Sequence, residues 1–195
     1  KMSKSLDNFI TIRDALKAHR PEILRYFLLS SHYRSPINYS ESGLKESRAA
    51  LDRLYNSING LYFHTEESKL ESSYSKKFLE AMDDDFNVPE ALAVFFDLAK
   101  DINKNKEDGN RDKASLLAGE LVAMSEPLGL LQQDPQSFLK SGVEIDESEI
   151  DNLIKEREEA RDMNEYDRAD EIRDSLFEKN VILEDSKEGT FWRKR

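Results

Sequence analysis

The chain has 195 residues, of which 38% are hydrophobic and 35% charged, and its formal net charge at pH 7 is −11. It contains no cysteine and three scattered histidines, which excludes disulfides and thiolate metal sites and argues against a histidine-built zinc site. No stretch is apolar enough to span a bilayer, so a membrane partner is not expected. The absence of cysteine favours an intracellular setting, and the chain is expected to be cytoplasmic.

The first predicted elements are two helices. Thr11 followed by Asp14 resembles a capping box, which predicts a short helix ending at about Ala18. Pro21 suits the first turn of a second helix, in which residues 23–29 are apolar almost all round. That second helix is therefore expected to be deeply buried.

The middle of the chain shows helical periodicity, with apolar residues three, four and seven positions apart. Ser40 is the predicted N-cap of one long helix and Asn87 of another. The predicted helices extend from Ser40 to about Tyr62, from Tyr74 to Met82, from Asn87 to Ile102 and from Ala114 to Met124. A turn is predicted at 103–110. Amphipathic helices joined by short loops indicate a helical bundle.

The last part of the chain predicts a smaller unit. The apolar pattern loosens at about 132–145, which we interpret as a linker. Beyond it, two amphipathic helices turn at Asn164, and the β-type run Val181–Leu183 is expected to pair with Phe191–Trp192 after a turn at Gly189. The predicted fold class is mostly α: a helical bundle followed by a small α/β domain of a helical hairpin and short strands.

The first five residues, Lys1-Met2-Ser3-Lys4-Ser5, form a loop with chemistry suited to phosphate. Ammonium groups can offset the charge that accumulates on a triphosphate during its cleavage, and serine hydroxyls add hydrogen-bond donors. The loop lacks the glycines of a P-loop. Residues 1–60 carry a net charge of +4, the rest carry −15, and the chain ends in Trp192-Arg193-Lys194-Arg195. Basic ends around an acidic middle suit a polyanion that contacts both ends.

Several stretches carry a resemblance to a known family. Lys1–Ser5 resembles the second signature motif (KMSKS) of class I aminoacyl-tRNA synthetases, whose loop closes over ATP. The stretches 25–28, 31–40, 82–92, 183–185 and 189–193 closely resemble cysteinyl-tRNA synthetases and occur in the same order. The resemblance implies division into a KMSKS loop and stem-contact region (1–39), a helical bundle domain (40–131), a linker (132–145) and an anticodon-binding domain (146–195).

The resemblance also implies a function. Cysteinyl-tRNA synthetases activate cysteine with ATP as substrate and transfer it to tRNA(Cys), and they select cysteine with a zinc ion in an N-terminal catalytic core. This chain resembles the C-terminal portion, so we expect it to bind tRNA without catalysing the reaction, with zinc only in the preceding part. The parent enzyme is expected to be monomeric.

The resemblance assigns roles to individual residues. Lys4 and Lys1 are expected to act in catalysis by contacting ATP phosphates, with Ser3 and Ser5 supporting the loop. Asp7 departs from the glycine expected in the family and places a negative charge close to that loop. The residues expected to contact tRNA are Arg34, Arg161, Tyr166, Asp170, Arg173, Asp185 and Arg193.

These tRNA-binding residues have different expected contacts. Arg34, beside His32, is expected to meet phosphate at the inner corner of the tRNA, and Arg193 is expected to contact phosphate. The other five are expected to read or stack anticodon bases, because unstacked bases are recognised by planar donors, carboxylates and aromatic faces. The sequence spacing of these residues is also compatible with a structural interpretation, in which Asp170 and Arg173 form an exposed ion pair and Tyr166 packs on the hairpin.

Some residues have structural explanations. Trp192, the only tryptophan, is interpreted as part of the small domain's core. Asp83-Asp84-Asp85 lacks the glycine and the glutamate of a calcium loop, so it is interpreted as a turn, and no metal site is expected. Two alternative functions remain: a related cysteine ligase acting on an amino sugar, and a non-catalytic helical protein-interaction module.

Overall fold

The computed structural model describes residues 10–63, 72–140, 145–186 and 189–194. The chain forms two compact units, the first extending to Pro135 and the second beginning at Gln136. In the described residues, no helix is both long enough and apolar enough to cross a membrane. The stretch predicted to form the phosphate loop, with Lys1, Ser3, Lys4, Ser5 and Asp7, lies outside the described residues.

The first unit is a helical bundle, which confirms the predicted class. Its helices are α1 (Ile12–Ala18), α2 (Pro21–Leu29), α3 (Glu41–Ile58), α4 (Ser73–Asp83), α5 (Val88–Glu107) and α6 (Arg111–Ser125), followed by a short 3-10 helix at Glu126–Leu128. Helix α5 lies at the centre, where it packs against α3, α4 and α6, and α2 packs against α3. The fully buried side chains of the bundle include Leu51, Leu54, Tyr55, Phe95, Leu98, Ile102 and Leu121.

Helix starts follow the predicted caps. The Thr11 hydroxyl accepts a hydrogen bond from the Asp14 backbone N–H, and the Ser40 hydroxyl accepts one from Gly43. Pro21 occupies the first turn of α2, and the Asn87 side chain accepts from Glu90 N–H at the start of α5. These local bonds satisfy helix donors that have no partner inside the helix, so short sequence patterns were sufficient to place them.

Three predictions in the bundle were wrong. Helix α2 is not buried all round, because it packs on α3 with one face and leaves Leu28 56% exposed. Helix α3 ends at Ile58, and Tyr62 is 81% exposed, because Gly60 takes a positive φ of 73° and turns the chain. Helix α5 continues through the predicted turn to Glu107, since Ile102 and Asn105 still face the core.

The end of α3 has basic caps from distant parts of the bundle. The Lys106 ammonium donates to the backbone oxygens of Asn56, Ser57 and Asn59 at 3.1–3.3 Å, and burial lowers its pKa. The Arg111 guanidinium donates to Gly60 O at 2.8 Å. Both cations occupy the negative end of the helix dipole and satisfy carbonyls that the helix leaves unpaired.

The stretch predicted as a linker contains ordered structure. Helix α7 (Pro135–Lys140) lies within it, and Phe138 and Leu139 are buried. Leu130 and Leu131, just before the stretch, are 0% and 2% exposed. Periodicity missed this helix because its six residues span less than two turns. The other domain boundaries inferred from the sequence stay predictions.

The second unit is the predicted small α/β domain. It contains α8 (Glu147–Asp162), α9 (Tyr166–Glu178), β1 (Val181–Ser186) and β2 (Gly189–Lys194). Asn164 has a φ of 62° in the turn of the hairpin, as its predicted turn role requires. The strands pair antiparallel with Leu183 opposite Trp192. The core, which includes Trp192 as predicted, consists of Ile150, Ile154, Ile172, Leu176, Val181, Leu183 and Trp192.

Candidate functional site

The strand register of the second unit determines where Asp185 points. Side chains alternate between the faces of a strand, so Val181, Leu183 and Asp185 share one face of β1. Val181 and Leu183 are buried in the core against the hairpin. Strand β1 is longer than the predicted run Val181–Leu183, so Asp185 lies within it, on this same face, and contacts Arg157 of α8.

The Asp185 carboxylate receives hydrogen bonds from three side chains. Arg157 donates through both terminal nitrogens, Nη1 to Oδ1 and Nη2 to Oδ2, each at 2.9 Å. Thr190, opposite Asp185 in the ribbon, donates to Oδ1 at 3.0 Å, and Arg161 donates to Oδ2 at 3.2 Å. The bonds from Arg157 lower the pKa of Asp185 to about 2. The group is therefore an ionised acceptor at neutral pH.

Three of the predicted base-reading residues come together at one surface pocket of about 430 Å³. Arg161, Tyr166 and Asp185 line it, along with Glu158, Asp162, Gly189 and Thr190. Tyr166 is 60% exposed and donates its hydroxyl proton to Asn164 Oδ1 at 3.0 Å. An exposed aromatic ring, a guanidinium and a carboxylate at one pocket match the groups that recognise an unstacked base.

Arg173 lies at a different pocket. It contributes to a space of about 320 Å³ that also includes Phe177 and the strand residues 181–183. Asp170 is exposed on α9 between Tyr166 and Arg173, and the spacings of four and three place all three along one helix face. Within the described part of the chain, Asp170 and Arg173 do not form the ion pair that their spacing allows.

Arg193 lies away from the Asp185 pocket. The alternation of β2 places Arg193 on the opposite face of the ribbon from Thr190 and Asp185. Its Nε donates to Glu184 Oε1 at 2.5 Å, and its side chain is 33% exposed. The structure therefore does not bring Arg193 together with the other predicted residues of the second unit.

Arg34 belongs to an exposed cluster in the first unit. Its Nη2 donates to Asp85 Oδ1 at 3.1 Å, and its Nε donates to the Tyr33 hydroxyl at 2.9 Å. The Tyr33 hydroxyl in turn donates to Asp85 at 2.7 Å, which raises the pKa of Tyr33. The His32 ring stacks on Tyr33 with centroids 4.9 Å apart. Arg34 remains 68% exposed despite its acidic partner.

Sequence reasoning missed Arg157, Thr190 and Asp85. Arg157 had a signal, since it continues the buried stripe of Ile150 and Ile154 on α8, where a charge needs a buried partner. Asp85 was interpreted as a turn residue, and its φ of 52° agrees with that, but its contacts with Arg34 come from a segment 51 residues away. Among the described residues, no group of three or more His, Cys, Asp or Glu side chains could hold a metal ion.

Three protein-family models match the chain. The model of the class I (C) catalytic domain of tRNA synthetases matches residues 1–49. The DALR domain model matches residues 77–132, and the model of the cysteinyl-tRNA ligase anticodon binding domain matches residues 147–193. The pocket around Asp185 therefore lies inside the segment similar to an anticodon-binding domain.

Curated relatives match the chain along its whole length. The cysteine–tRNA ligases of Tolumonas auensis and Serratia proteamaculans are each 48% identical to it over 198 aligned residues, and that of Klebsiella pneumoniae is 45% identical. Each match covers 100% of this chain and 42% of the relative. The chain thus spans about two fifths of the length of these relatives.

Proposed function

This chain belongs to the cysteine–tRNA ligase family, and from that premise we propose that it is the part that binds tRNA(Cys), in an enzyme that activates cysteine with ATP. The carrying observation is the pocket of Arg161, Tyr166 and Asp185 inside the segment similar to an anticodon-binding domain. That similarity favours tRNA over an amino sugar as the acceptor. By itself the chain binds tRNA without forming cysteinyl-tRNA, and the parent acts in the cytoplasm as a monomer.

The proposed contacts differ in kind along the chain. The Asp185 carboxylate accepts from base N–H groups, Tyr166 stacks on a base, and Arg161 and Arg173 donate to base edges. Support comes from exposure combined with a fixed position: Arg161 is 47% exposed and bonds to Asp185, and Tyr166 is 60% exposed and bonds to Asn164. Asp170 lies on the same helix face as Tyr166 and Arg173 and supplies a second carboxylate. Proteins bind unstacked RNA bases with sets of this composition.

Phosphate contacts supply the rest of the proposed affinity. Arg34 is 68% exposed, so it can donate to phosphate with Nη1, the guanidinium nitrogen that bonds to neither Asp85 nor Tyr33. The Nε of Arg193 donates to the Glu184 carboxylate. The proposed phosphate contact therefore requires that the phosphate displace this carboxylate from Arg193. The chain's net charge of −11 opposes a polyanion, so binding should depend on these local cations.

Filter binding with a tRNA(Cys) transcript tests the proposal. The purified chain should bind the transcript with its GCA anticodon more tightly than transcripts changed at single anticodon positions. Measurements at several salt concentrations separate phosphate contacts, which weaken with salt, from base contacts. Equal affinity for all of the transcripts would reject base reading.

Arg173→Ala is expected to weaken binding of the GCA transcript by about 1–3 kcal/mol if Arg173 donates to a base edge. The matched control is Arg168→Ala, five residues earlier on α9, where the guanidinium bonds to Glu156 and Glu171 and is 50% exposed. The control should bind normally. An equal loss in both variants, or the same loss for every anticodon transcript, would indicate general electrostatics instead of base reading.

The proposed role of the opening loop is tested in a longer protein. Lys4→Ala, made in this chain joined to the preceding part of a cysteine–tRNA ligase relative, should slow cysteine-dependent ATP–pyrophosphate exchange about 100-fold, since removal of one transition-state donor costs about that much. Lys1→Ala should have the smaller effect, and Lys17→Ala, on the exposed side of α1, is the control. Unchanged exchange in the Lys4 variant would reject the role.

A further inference from the structure

Arg157 occupies a position where packing calls for an apolar side chain. On α8 it continues the buried stripe that begins with Ile150 and Ile154 and ends with Ala160. Its side chain is 6% exposed, whereas Arg161, one turn later, is 47% exposed. One arginine of the pair is thus inside the unit and the other is at its surface.

Stability alone does not explain a buried arginine here. A buried charge loses hydration, and replacement of a buried ion pair by apolar residues is often neutral or stabilising. Arg157 carries a further cost, because its Nε is buried and bonds to none of the described residues. An apolar residue at this position could not form the two parallel hydrogen bonds that Arg157 donates to Asp185.

The contacts of Asp185 fall into a fixed set and an exchangeable set. An ionised carboxylate offers about four acceptor positions, and Arg157 fills two of them from the buried side. Thr190 and Arg161 fill the others from the pocket, where the contact with Arg161 is 3.2 Å long and solvent-exposed. Donors of an incoming base therefore compete with Thr190 and Arg161, while the Arg157 contacts stay in place.

We propose that Arg157 is a positioning residue for base selection: it holds the Asp185 carboxylate in one orientation, so that the pocket selects an unstacked base by its N–H donors. The proposal rests on the proposed tRNA-binding function. The Asp185 carboxyl must be ionised as well as oriented. A protonated carboxyl would also donate a hydrogen bond, so a base with an acceptor at that point would bind as well.

The test measures discrimination instead of affinity alone. Asp185→Asn keeps one acceptor oxygen for Arg157, and Trp192 fluorescence verifies that its second unit is folded. In the full chain, this variant identifies the anticodon position that Asp185 reads, because the Kd ratio between changed and GCA transcripts should fall to about one at that position. Arg157→Lys keeps the charge but loses the two-pronged contact. It should lower the Kd ratio about tenfold or more at that same position and leave the ratios at the other two positions within about twofold.

Controls separate positioning from folding. Trp192 fluorescence verifies that the second unit is folded, and Arg157→Gln replaces Arg157→Lys if the latter is unfolded at the assay temperature. Arg168→Lys, an exposed arginine change on the same hairpin, should leave every ratio unchanged. The carboxyl carbon resonance of Asp185 in an NMR titration should shift its midpoint upward in the Arg157 variants, which verifies that the contact with Asp185 is lost. The change in Kd ratio at one anticodon position is the readout that a purely structural role does not predict.

The outcomes are distinct. Loss of discrimination at the Asp185 position alone supports the proposal. Retained discrimination in a folded Arg157 variant, or an equal loss of affinity for every transcript, overturns it and leaves the proposed function intact. A wild-type chain that binds all of the transcripts equally rejects the proposed function, and this proposal with it.

Discussion

Glu22→Ala is expected to lower the free energy of unfolding of the first unit by about 3–5 kcal/mol, because each of several donors left without an acceptor costs about 1–3 kcal/mol. Glu22 lies in the first turn of α2 and is 4% exposed. Its carboxylate accepts from the Tyr55 hydroxyl at 2.9 Å, the Leu131 backbone N–H at 2.6 Å and Gln133 Nε2 at 2.6 Å. Truncation removes a shared acceptor from three donors on two segments, α3 and residues 131–133, and leaves a cavity among them.

Urea unfolding followed by far-UV circular dichroism measures this loss. Trp192, the only tryptophan, lies in the second unit, so its fluorescence should stay on the wild-type curve while the dichroism midpoint falls. Glu22→Gln should cost less, because the amide oxygen still accepts from part of the set. Glu46→Ala, an exposed position on α3, is the matched control and should change stability by less than about 0.5 kcal/mol. Equal midpoints for the Glu22→Ala and Glu46→Ala variants would contradict the role of the buried carboxylate.

Asp185→Ala is expected to lower the free energy of unfolding of the second unit by about 2–3 kcal/mol, because the buried Arg157 guanidinium loses the acceptor of both its bonds as well as its anion, while the 46% exposure of Asp185 keeps the loss below that of a fully buried pair. The pair joins α8 to β1 across 28 residues of chain. A unit of this size has a small core, so a loss of that magnitude should unfold much of its population.

Trp192 fluorescence in a urea titration measures the effect on the second unit. The matched control is Glu184→Ala, one residue earlier on the other face of β1, where the carboxylate forms an exposed pair with Arg193. That change should cost less than about 1 kcal/mol. If the two variants unfold at the same urea concentration, the Arg157–Asp185 pair does not stabilise the unit as argued.

The same pair predicts a pH dependence. The pKa of Asp185 is lowered from 3.8 to about 2, so its stabilisation is fully present above about pH 4 and is lost as the pH falls towards 2. Because the Asp185 side chain is 46% exposed, solvent screening reduces the size of the effect to about 1 kcal/mol. The wild-type stability should therefore fall more steeply between pH 4 and 2 than that of a folded Asp185→Asn variant.

The sequence predicted features that depend on short stretches of chain. Thr11, Ser40 and Asn87 mark helix starts because a cap bonds within three residues of itself. Asn164 marks the hairpin turn because few residues accept a positive φ. Motif resemblance likewise identified the family, and it selected Arg161, Tyr166 and Asp185, which the fold then places at one pocket.

The sequence by itself thus determined the helix starts, the two-part mostly α architecture and the family. Only the tertiary structure decided which polar groups are buried and with whom. In the sequence, Glu22 is indistinguishable from any acidic residue in the first turn of a helix. Its burial depends on hydrogen-bond donors from residues 55, 131 and 133. The desolvation cost of the buried Arg157 is likewise offset only when folding places Asp185 of β1 next to it. The physical reason is that periodicity records which face of an element is apolar, whereas the desolvation cost of a polar group is offset only by partners that folding brings from distant parts of the chain.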